Sequence, residues 1–281
     1  MKAFFRLLAA ACMTAVFLAG CGRTGGSRDA SSASSAASSA AGTTPQAASS
    51  ETASSAPVTL TDKIPVLMYH SLEYDPSNPN NSARIKAEDF AAQMKWLHDN
   101  GYTAISLDTL YQGLASGKGF PEKSVVLTFD DGYGDFYTNG FPVLVQYGFA
   151  ATVFMISSYV DKAGYLTSDQ LKTIAAGGVT VEDHTVTHPY LDKLSYDSQY
   201  KELGNSRTAL EGITGVPITA VAYPYGHFDS ETIRATRALS YHMGFKMSGG
   251  WVAVGDDMLE IPRVYIGDSL DSFITKVTKV Q

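Results

Sequence analysis

Cysteine is almost absent from this chain. Only Cys12 and Cys21 occur in 281 residues, both ahead of the globular region, so neither a disulfide framework nor a cysteine-ligated metal site is open to the fold. The N-terminal apolar run, Leu7 to Leu18, falls short of the roughly 20 residues a membrane-spanning helix needs. No run of Lys and Arg is long enough to make a basic patch for nucleic acid. The formal net charge of −7 disfavours polyanionic partners and permits neutral or cationic ones. Internal repeats are missing too. What is present is 44% hydrophobic residues, ample for one sizeable core, in a length that suits one large domain with extensions.

Lys2 and Arg6 precede the apolar run, which only Thr14 interrupts. That is a charged n-region followed by a short h-region, so residues 1–20 read as a signal peptide. The run ends in Leu18-Ala19-Gly20-Cys21, which resembles the bacterial lipobox. The resemblance implies cleavage before Cys21, a diacylated thiol, and an exported protein anchored to the outer face of the cell membrane. The alternative is an ordinary signal peptide with an incidental cysteine. Loss of Lys2 and Arg6 takes the formal charge from −7 to −9. Residues 21–60 read as a lipidated linker. Ala30 through Ala41 holds only Ala and Ser, a composition that cannot bury enough apolar surface to order itself. A flexible coil over residues 22–57 spans roughly 30–36 Å in root-mean-square terms. The folded domain is expected over 61–281.

From Ile64 the pattern alternates between strand and helix. Pro65 to Tyr69, Ser124 to Phe129, Ala151 to Ile156, Gly178 to Val181, Ile218 to Tyr223 and Ile261 to Ile266 read as buried strands. Phe90, Met94 and Leu97 fall at i, i+4 and i+7 and mark the core face of a helix, with Gly101 as its stop. Further helices are expected at about 137–147, 167–176, 196–213 and 230–239. Strands alternating with helices imply a parallel α/β sheet, either a barrel or doubly wound, with functional residues at the carboxyl ends of strands.

Two such ends carry chemistry. Thr128-Phe129-Asp130-Asp131-Gly132 puts adjacent carboxylates just past a strand. They repel unless a cation or a proton intervenes, although Asp-Gly is also a common turn pair. His184-Thr185-Val186-Thr187-His188-Pro189 follows another strand. A spacing of i, i+4 brings two imidazoles close enough to share one metal, and Pro189 restricts the segment to a single turn or a loop. Taken alone the histidines could be a surface pair. Beside a neighbouring Asp-Asp, a His/His/Asp site is the better reading. Three protein ligands leave open positions, as in catalytic zinc, and the same set accepts Co2+, Ni2+ or Fe2+.

The two segments resemble the first two motifs of the NodB-like polysaccharide deacetylases (carbohydrate esterase family four), and Ala222-Tyr223-Pro224-Tyr225-Gly226 resembles the third. The resemblance spans about residues 64–266. It implies a distorted (β/α) barrel with about seven parallel strands. It also implies Asp130 as general base, Asp131, His184 and His188 as metal ligands, and the Tyr225 backbone N–H as oxyanion donor. Two departures stand out. Ala222 occupies the place where the family usually carries an Arg that orients the catalytic Asp. A Leu-x-His motif, the usual source of the general acid, is missing near the C-terminus. One branch, the poly-N-acetylglucosamine deacetylases, shares both the Ala-Tyr-Pro-Tyr-Gly motif and a Met-Tyr-His strand end. The equivalent here is Met68-Tyr69-His70, which implies His70 as general acid, with His227 as a rival. Arg263 is the candidate for the missing Arg.

The implied reaction is metal-dependent removal of N-acetyl groups from a cell-surface or extracellular N-acetylglucosamine polymer, either poly-N-acetylglucosamine or the peptidoglycan glycan. Two alternatives stand beside it: an O-acetyl esterase acting on acetylated xylan or a similar polysaccharide, and a carbohydrate-binding lipoprotein without catalysis. Expected partners are the N-acetylated polysaccharide and, through Cys21, a membrane, but no nucleic acid. Trp251 and Tyr190 could each line a sugar subsite or serve packing. His98 and His242 read as surface residues.

Overall fold

The computed structural model describes residues 59–279 apart from 79, 80 and 82. Residues 1–58, which hold the stretch read as a signal peptide, Cys21 and all but the last two residues of the expected linker, lie outside the described residues. Seven strands form one parallel sheet: β1 (Val66–Tyr69), β2 (Ser124–Phe129), β3 (Ala151–Met155), β4 (Val179–Asp183), β5 (Ala220–Ala222), β6 (Met243–Phe245) and β7 (Val264–Tyr265). Their order is β6-β5-β4-β3-β2-β1-β7, and every neighbour pair runs parallel. A short strand, Thr103–Ala104, adds parallel to the start of β2.

The sheet curls, and one segment ties its two edges together. Ile261 bridges to Phe245 on β6, donates its N–H to the Gly244 carbonyl (2.8 Å) and accepts from Lys246 N–H (3.0 Å). Three residues on, Val264 pairs with Leu67 on β1. The stretch read as a strand over 261–266 is thus a strand only at Val264–Tyr265, because its first part closes the distorted barrel instead.

Both faces of the sheet are covered, which explains the near-continuous apolar strands. Alternate positions along each strand separate two cores. Leu67, Tyr69, Leu127, Phe129, Val153, Val181 and Val221 face the helices. Val66, Val126, Phe154, Ala220, Ala222 and Phe245 fill the barrel. Helix α1 (Ala87–Asp99) buries Phe90, Met94 and Leu97 against the outer face, as its spacing predicts. Truncating a fully buried Phe such as Phe90 would cost about 3–5 kcal/mol. Helices α3 (Phe141–Tyr147, entered through a wider turn over Phe136–Gly140), α4 (Ser168–Ala176), α5 (Tyr196–Thr214) and α6 (Ser230–Ala238) match the expected positions. Ser195 and Asp229 cap α5 and α6, and Thr167 with Gln170 forms a capping box on α4.

Besides short two-residue strands such as Thr103–Ala104, the elements not expected include α2 (Leu107–Ser116), α7 (Leu270–Thr278) and β6. Helix α2 carries readable signals, an N-cap at Ser106 and a left-handed Gly117 after its end. Strand β6 is three residues long, too short for a period-2 pattern to register.

Candidate active site

The carboxyl ends of β1, β2, β4 and β5 converge, and each contributes a predicted site residue. Asp130 follows β2 on the barrel-facing parity and is buried. Asp131 then turns into the left-handed region (φ 71). Gly132 (φ 78) is required there, since a Cβ would lie 2.0 Å from the Met155 sulfur. After β4, Thr185 (φ 66) and His188 (φ 59) are also left-handed, and so is Tyr225 (φ 57) after β5. Four strained non-glycine residues thus cluster at one site, each costing on the order of 1 kcal/mol or more that the surroundings must sustain. The segment 184–189 is a loop, one of the two forms that Pro189 allows, rather than a helical turn.

Asp131, His184 and His188 offer ligand atoms that all lie within 4.8 Å of one another. His184 Nε2 and His188 Nε2 are each 3.4 Å from Asp131 Oδ1 and 3.1 Å from each other. His184 Nδ1 sits 2.7 Å from the Ala222 carbonyl, so Nδ1 carries the proton and Nε2 turns its lone pair inward. Burial, then neighbouring His184, lowers the His188 pKa to about 4, leaving it a neutral acceptor at neutral pH. Two inward imidazole nitrogens and a carboxylate oxygen at this separation fit a divalent cation.

Asp130 stands beside these ligands and is held by another group. Arg263, itself buried, donates from two guanidinium nitrogens to the two Asp130 carboxylate oxygens, at 2.7 Å each. Its Nε donates to the Lys246 carbonyl (3.0 Å), and one terminal nitrogen also reaches Thr128 Oγ1 (3.2 Å). Burial opposes ionisation of Asp130, but Arg263 and then His184 outweigh it and hold the pKa at about 2. The closing segment 261–265 therefore delivers a guanidinium to Asp130.

His70 follows β1 directly, and the Tyr69 carbonyl accepts from Asp130 N–H (2.9 Å). His70 thus lies alongside Asp130 in the parallel register. Burial lowers its pKa below the ordinary value, against the pull of Asp130 and Asp131. His227, the rival acid, is exposed and pairs with Asp192 (3.1 Å) at the outer edge of Tyr190. Tyr190 stacks on Tyr225 at 4.2 Å. Trp251 donates to the Lys276 carbonyl on α7 (3.0 Å) and serves packing. His98 pairs with Asp99 at the surface, and His242 stacks on Tyr111.

Several supporting residues escaped sequence reasoning. Glu202 on α5 accepts from Val186 N–H (3.0 Å), Thr187 N–H (2.8 Å) and the Thr187 hydroxyl (2.9 Å), clamping the loop between the two histidines. Asp183 accepts from Thr185 N–H (2.8 Å) and from the Tyr241 hydroxyl. An acid on the polar face of a helix looks like any solvated charge, so Glu202 carried no signal of its own.

Comparisons with known proteins point to one family. The polysaccharide deacetylase family model matches residues 117–244, a span that excludes both His70 and Arg263. YxkH of Bacillus subtilis (strain 168) is 35% identical over 208 residues, covering 74% of this chain and 73% of that one. The poly-beta-1,6-N-acetyl-D-glucosamine N-deacetylase of Staphylococcus epidermidis is 28% identical over 207 residues, 69% of this chain and 71% of that enzyme. The structure of the Streptococcus pyogenes deacetylase PplD in complex with acetate superposes with a TM-score of 0.73 at 29% identity, covering 79% of this chain and all of that one. With its barrel, its strand-end motifs and a relative matched over most of both chains, this protein belongs to the polysaccharide deacetylase family.

Proposed function

We propose that the protein is a metal-dependent N-deacetylase of an N-acetylglucosamine polymer, poly-N-acetylglucosamine or the peptidoglycan glycan, exported and lipid-anchored through Cys21. The observation that carries the chemistry is the pairing of a three-residue ligand cluster with a separate, ionised Asp130. The name of the Staphylococcus epidermidis relative favours an N-acetylglucosamine polymer as substrate.

Bound by Asp131, His184 and His188, a divalent cation, zinc first among the candidates, supplies Lewis-acid polarisation of the acetyl carbonyl and a lowered water pKa. Asp130 accepts the proton of the attacking water as its oxygen adds to the acetyl carbon. The Tyr225 N–H is assigned to the developing oxyanion. His70 gives its proton to the departing nitrogen as the C–N bond breaks, leaving acetate and a free amine. An amine anion is too poor a leaving group to depart unprotonated. The lowered His70 pKa makes its protonated form a stronger acid, at the expense of a smaller protonated fraction at neutral pH. The reading as an inactive binder loses one of its two motives, because Arg263 meets Asp130 where Ala222 cannot.

The test measures acetate release from N-acetylglucosamine oligomers, peptidoglycan glycan and acetylated xylan, before and after chelation and with single metals restored. Release from the amino-sugar substrates, abolished by chelation and regained with metal, is expected. Release from xylan alone would overturn the N-deacetylase reading, and chelator-resistant turnover would overturn the metal. Replacing Cys21 by Ser should free the protein from the membrane fraction; unchanged membrane association would remove the lipid anchor.

A further inference from the structure

The loop that carries Asp130 and Asp131 also reaches back to the end of β1. Asp135 accepts from the Ser71 hydroxyl through Oδ2 (2.7 Å) and from the Leu72 N–H through Oδ1 (2.8 Å). Asn139 donates from Nδ2 to the Leu72 carbonyl (3.0 Å). Ser71 and Leu72 are the two residues that follow His70. An Asp placed just before a helical turn ordinarily caps the N–H groups of that turn. Here it precedes the turn over Phe136–Gly140, and both its oxygens go instead to partners 63 and 64 positions away. Gly140 lets the two segments meet, since a Cβ there would lie 2.8 Å from Leu72 Cδ1.

His70 is thus fixed on both sides by one loop. Before it, Tyr69 pairs with Phe129, and the Tyr69 carbonyl accepts from Asp130 N–H (2.9 Å). After it, Ser71 and Leu72 are bound by Asp135. Ser71 is buried, its N–H donates to the Ala83 carbonyl, and its own carbonyl accepts from Ile85 N–H, both at 3.1 Å. The chain that leaves β1 at Ser71 therefore returns to Ser71, where Arg84 forms a parallel bridge. Any shift of that excursion is transmitted to the residue beside His70. Asp135 is the group that ties this junction to the loop bearing the base and a metal ligand.

We propose that Asp135 is a positioning residue for His70. By holding Ser71 and Leu72 it sets the distance from the proton donor at the end of β1 to Asp130 and the metal ligands. The inference rests on the deacetylase reading above, with His70 as general acid, and deepens it. A misplacement of about 1 Å in a reacting group can lower a rate by roughly 10²-fold. A displaced acid fails the departing nitrogen, whereas attack on the carbonyl depends on Asp130 and the cation. The loss therefore falls on kcat for amides and spares esters whose leaving group departs without a proton. It is bounded by what the acid itself contributes, about 10²–10⁴-fold.

The test measures kcat and KM on an N-acetylglucosamine trimer and on p-nitrophenyl acetate, with divalent-metal affinity read alongside. Asp135→Ala should lose about tenfold or more in kcat on the trimer and less than about threefold on the ester, with KM and metal affinity near wild type. Asp135→Asn still accepts from Leu72 N–H and donates to the Ser71 oxygen, so it should recover most of the trimer activity. Ser71→Ala breaks one of the two bonds and should show the same selectivity at smaller size; it carries the test if Asp135→Ala does not fold. In a His70→Ala background, Asp135→Ala should lower trimer turnover by less than about twofold more, because both changes act on one step. Equal losses on trimer and ester would overturn the proposal. So would wild-type turnover in Asp135→Ala, a loss carried in full by Asp135→Asn, or losses that multiply in the double variant. If His70→Ala alone lowers both substrates alike, the acid reading fails and the positioning role with it, and a wild type inactive on the trimer sinks the deacetylase reading itself.

Discussion

Arg263 grips Asp130 through two parallel hydrogen bonds of 2.7 Å, although 133 positions separate them in the chain. Both side chains are buried. An ionised carboxylate inside a barrel is costly on its own, and the bidentate guanidinium is what keeps this one charged. The same contact aims both oxygens of Asp130 and keeps it distinct from Asp131, which faces the two histidines.

Replacing Arg263 by Ala should therefore act through Asp130. Burial remains and the guanidinium goes, so the Asp130 pKa rises from its present value of about 2. A general base works only when deprotonated. The acid limb of the kcat/KM profile should accordingly move to higher pH, and activity on the acid side should vanish first. Breaking a buried pair by removing one partner also costs about 3–5 kcal/mol of stability. Arg263→Lys keeps the charge without the fork and should fall between. A pH profile identical to wild type in both variants would remove Arg263 from this role.

The parts of the site legible in sequence were those packed into short contiguous motifs. Asp130 with Asp131, and His184 with His188, sit within a few residues of each other at strand ends, so spacing alone brought them together. Arg263 was reachable only as the answer to an absence, the Ala at 222. No local pattern says that residues 261–265 leave β6 and join β1, because that closure is a long-range hydrogen-bonding choice. Glu202 and Asp183 were illegible for a related reason: their partners include backbone N–H groups, which have no sequence identity, and hydroxyls far away in the chain. The barrel itself was readable from its apolar strands, whereas three-residue β6 fell below the length at which periodicity speaks.

His70 should matter in proportion to how badly the leaving group needs a proton. General acid catalysis is worth about 10²–10⁴-fold. His70→Ala should lose that much on an N-acetyl amide and far less on an activated acetate ester, measured as kcat/KM on the two substrates side by side. Comparable losses on both would assign His70 to packing or binding. Should His227→Ala show the selective loss instead, the acid lies there.

Glu202 holds the histidine loop through three hydrogen bonds of 2.8–3.0 Å. Groups that orient metal ligands typically contribute about 10–100-fold in metal affinity. Glu202→Ala should weaken divalent-metal binding by that order, read by competition with a chromophoric chelator. Metal saturation should restore most of the lost turnover. Glu202→Gln, which retains an acceptor oxygen, should recover part of the affinity. Weaker activity with unchanged metal affinity would show that the clamp serves another purpose.

Glu182 predicts how stability varies with pH. Its side chain is buried and accepts from the N–H groups of Thr219 and Ala220, both at 2.8 Å. Burial is the dominant influence and raises its pKa from 4.5 to about 8, against the pull of those two hydrogen bonds. The folded state thus holds a proton that the unfolded chain releases near 4.5. Between those values the folded state binds more protons, so stability falls as pH rises, at up to about 1.4 kcal/mol per pH unit for one group. Asp183, raised to about 6 mainly by burial, slopes the same way. Glu182→Gln preserves an oxygen for the two N–H donors and carries no titrating proton. Thermal melts of metal-free protein from pH 5 to 8 should show a steeper decline in wild type than in Glu182→Gln, with the variant ahead at pH 8. Parallel curves would mean that the Glu182 carboxyl titrates near its ordinary value, with its charge already accommodated by the backbone donors.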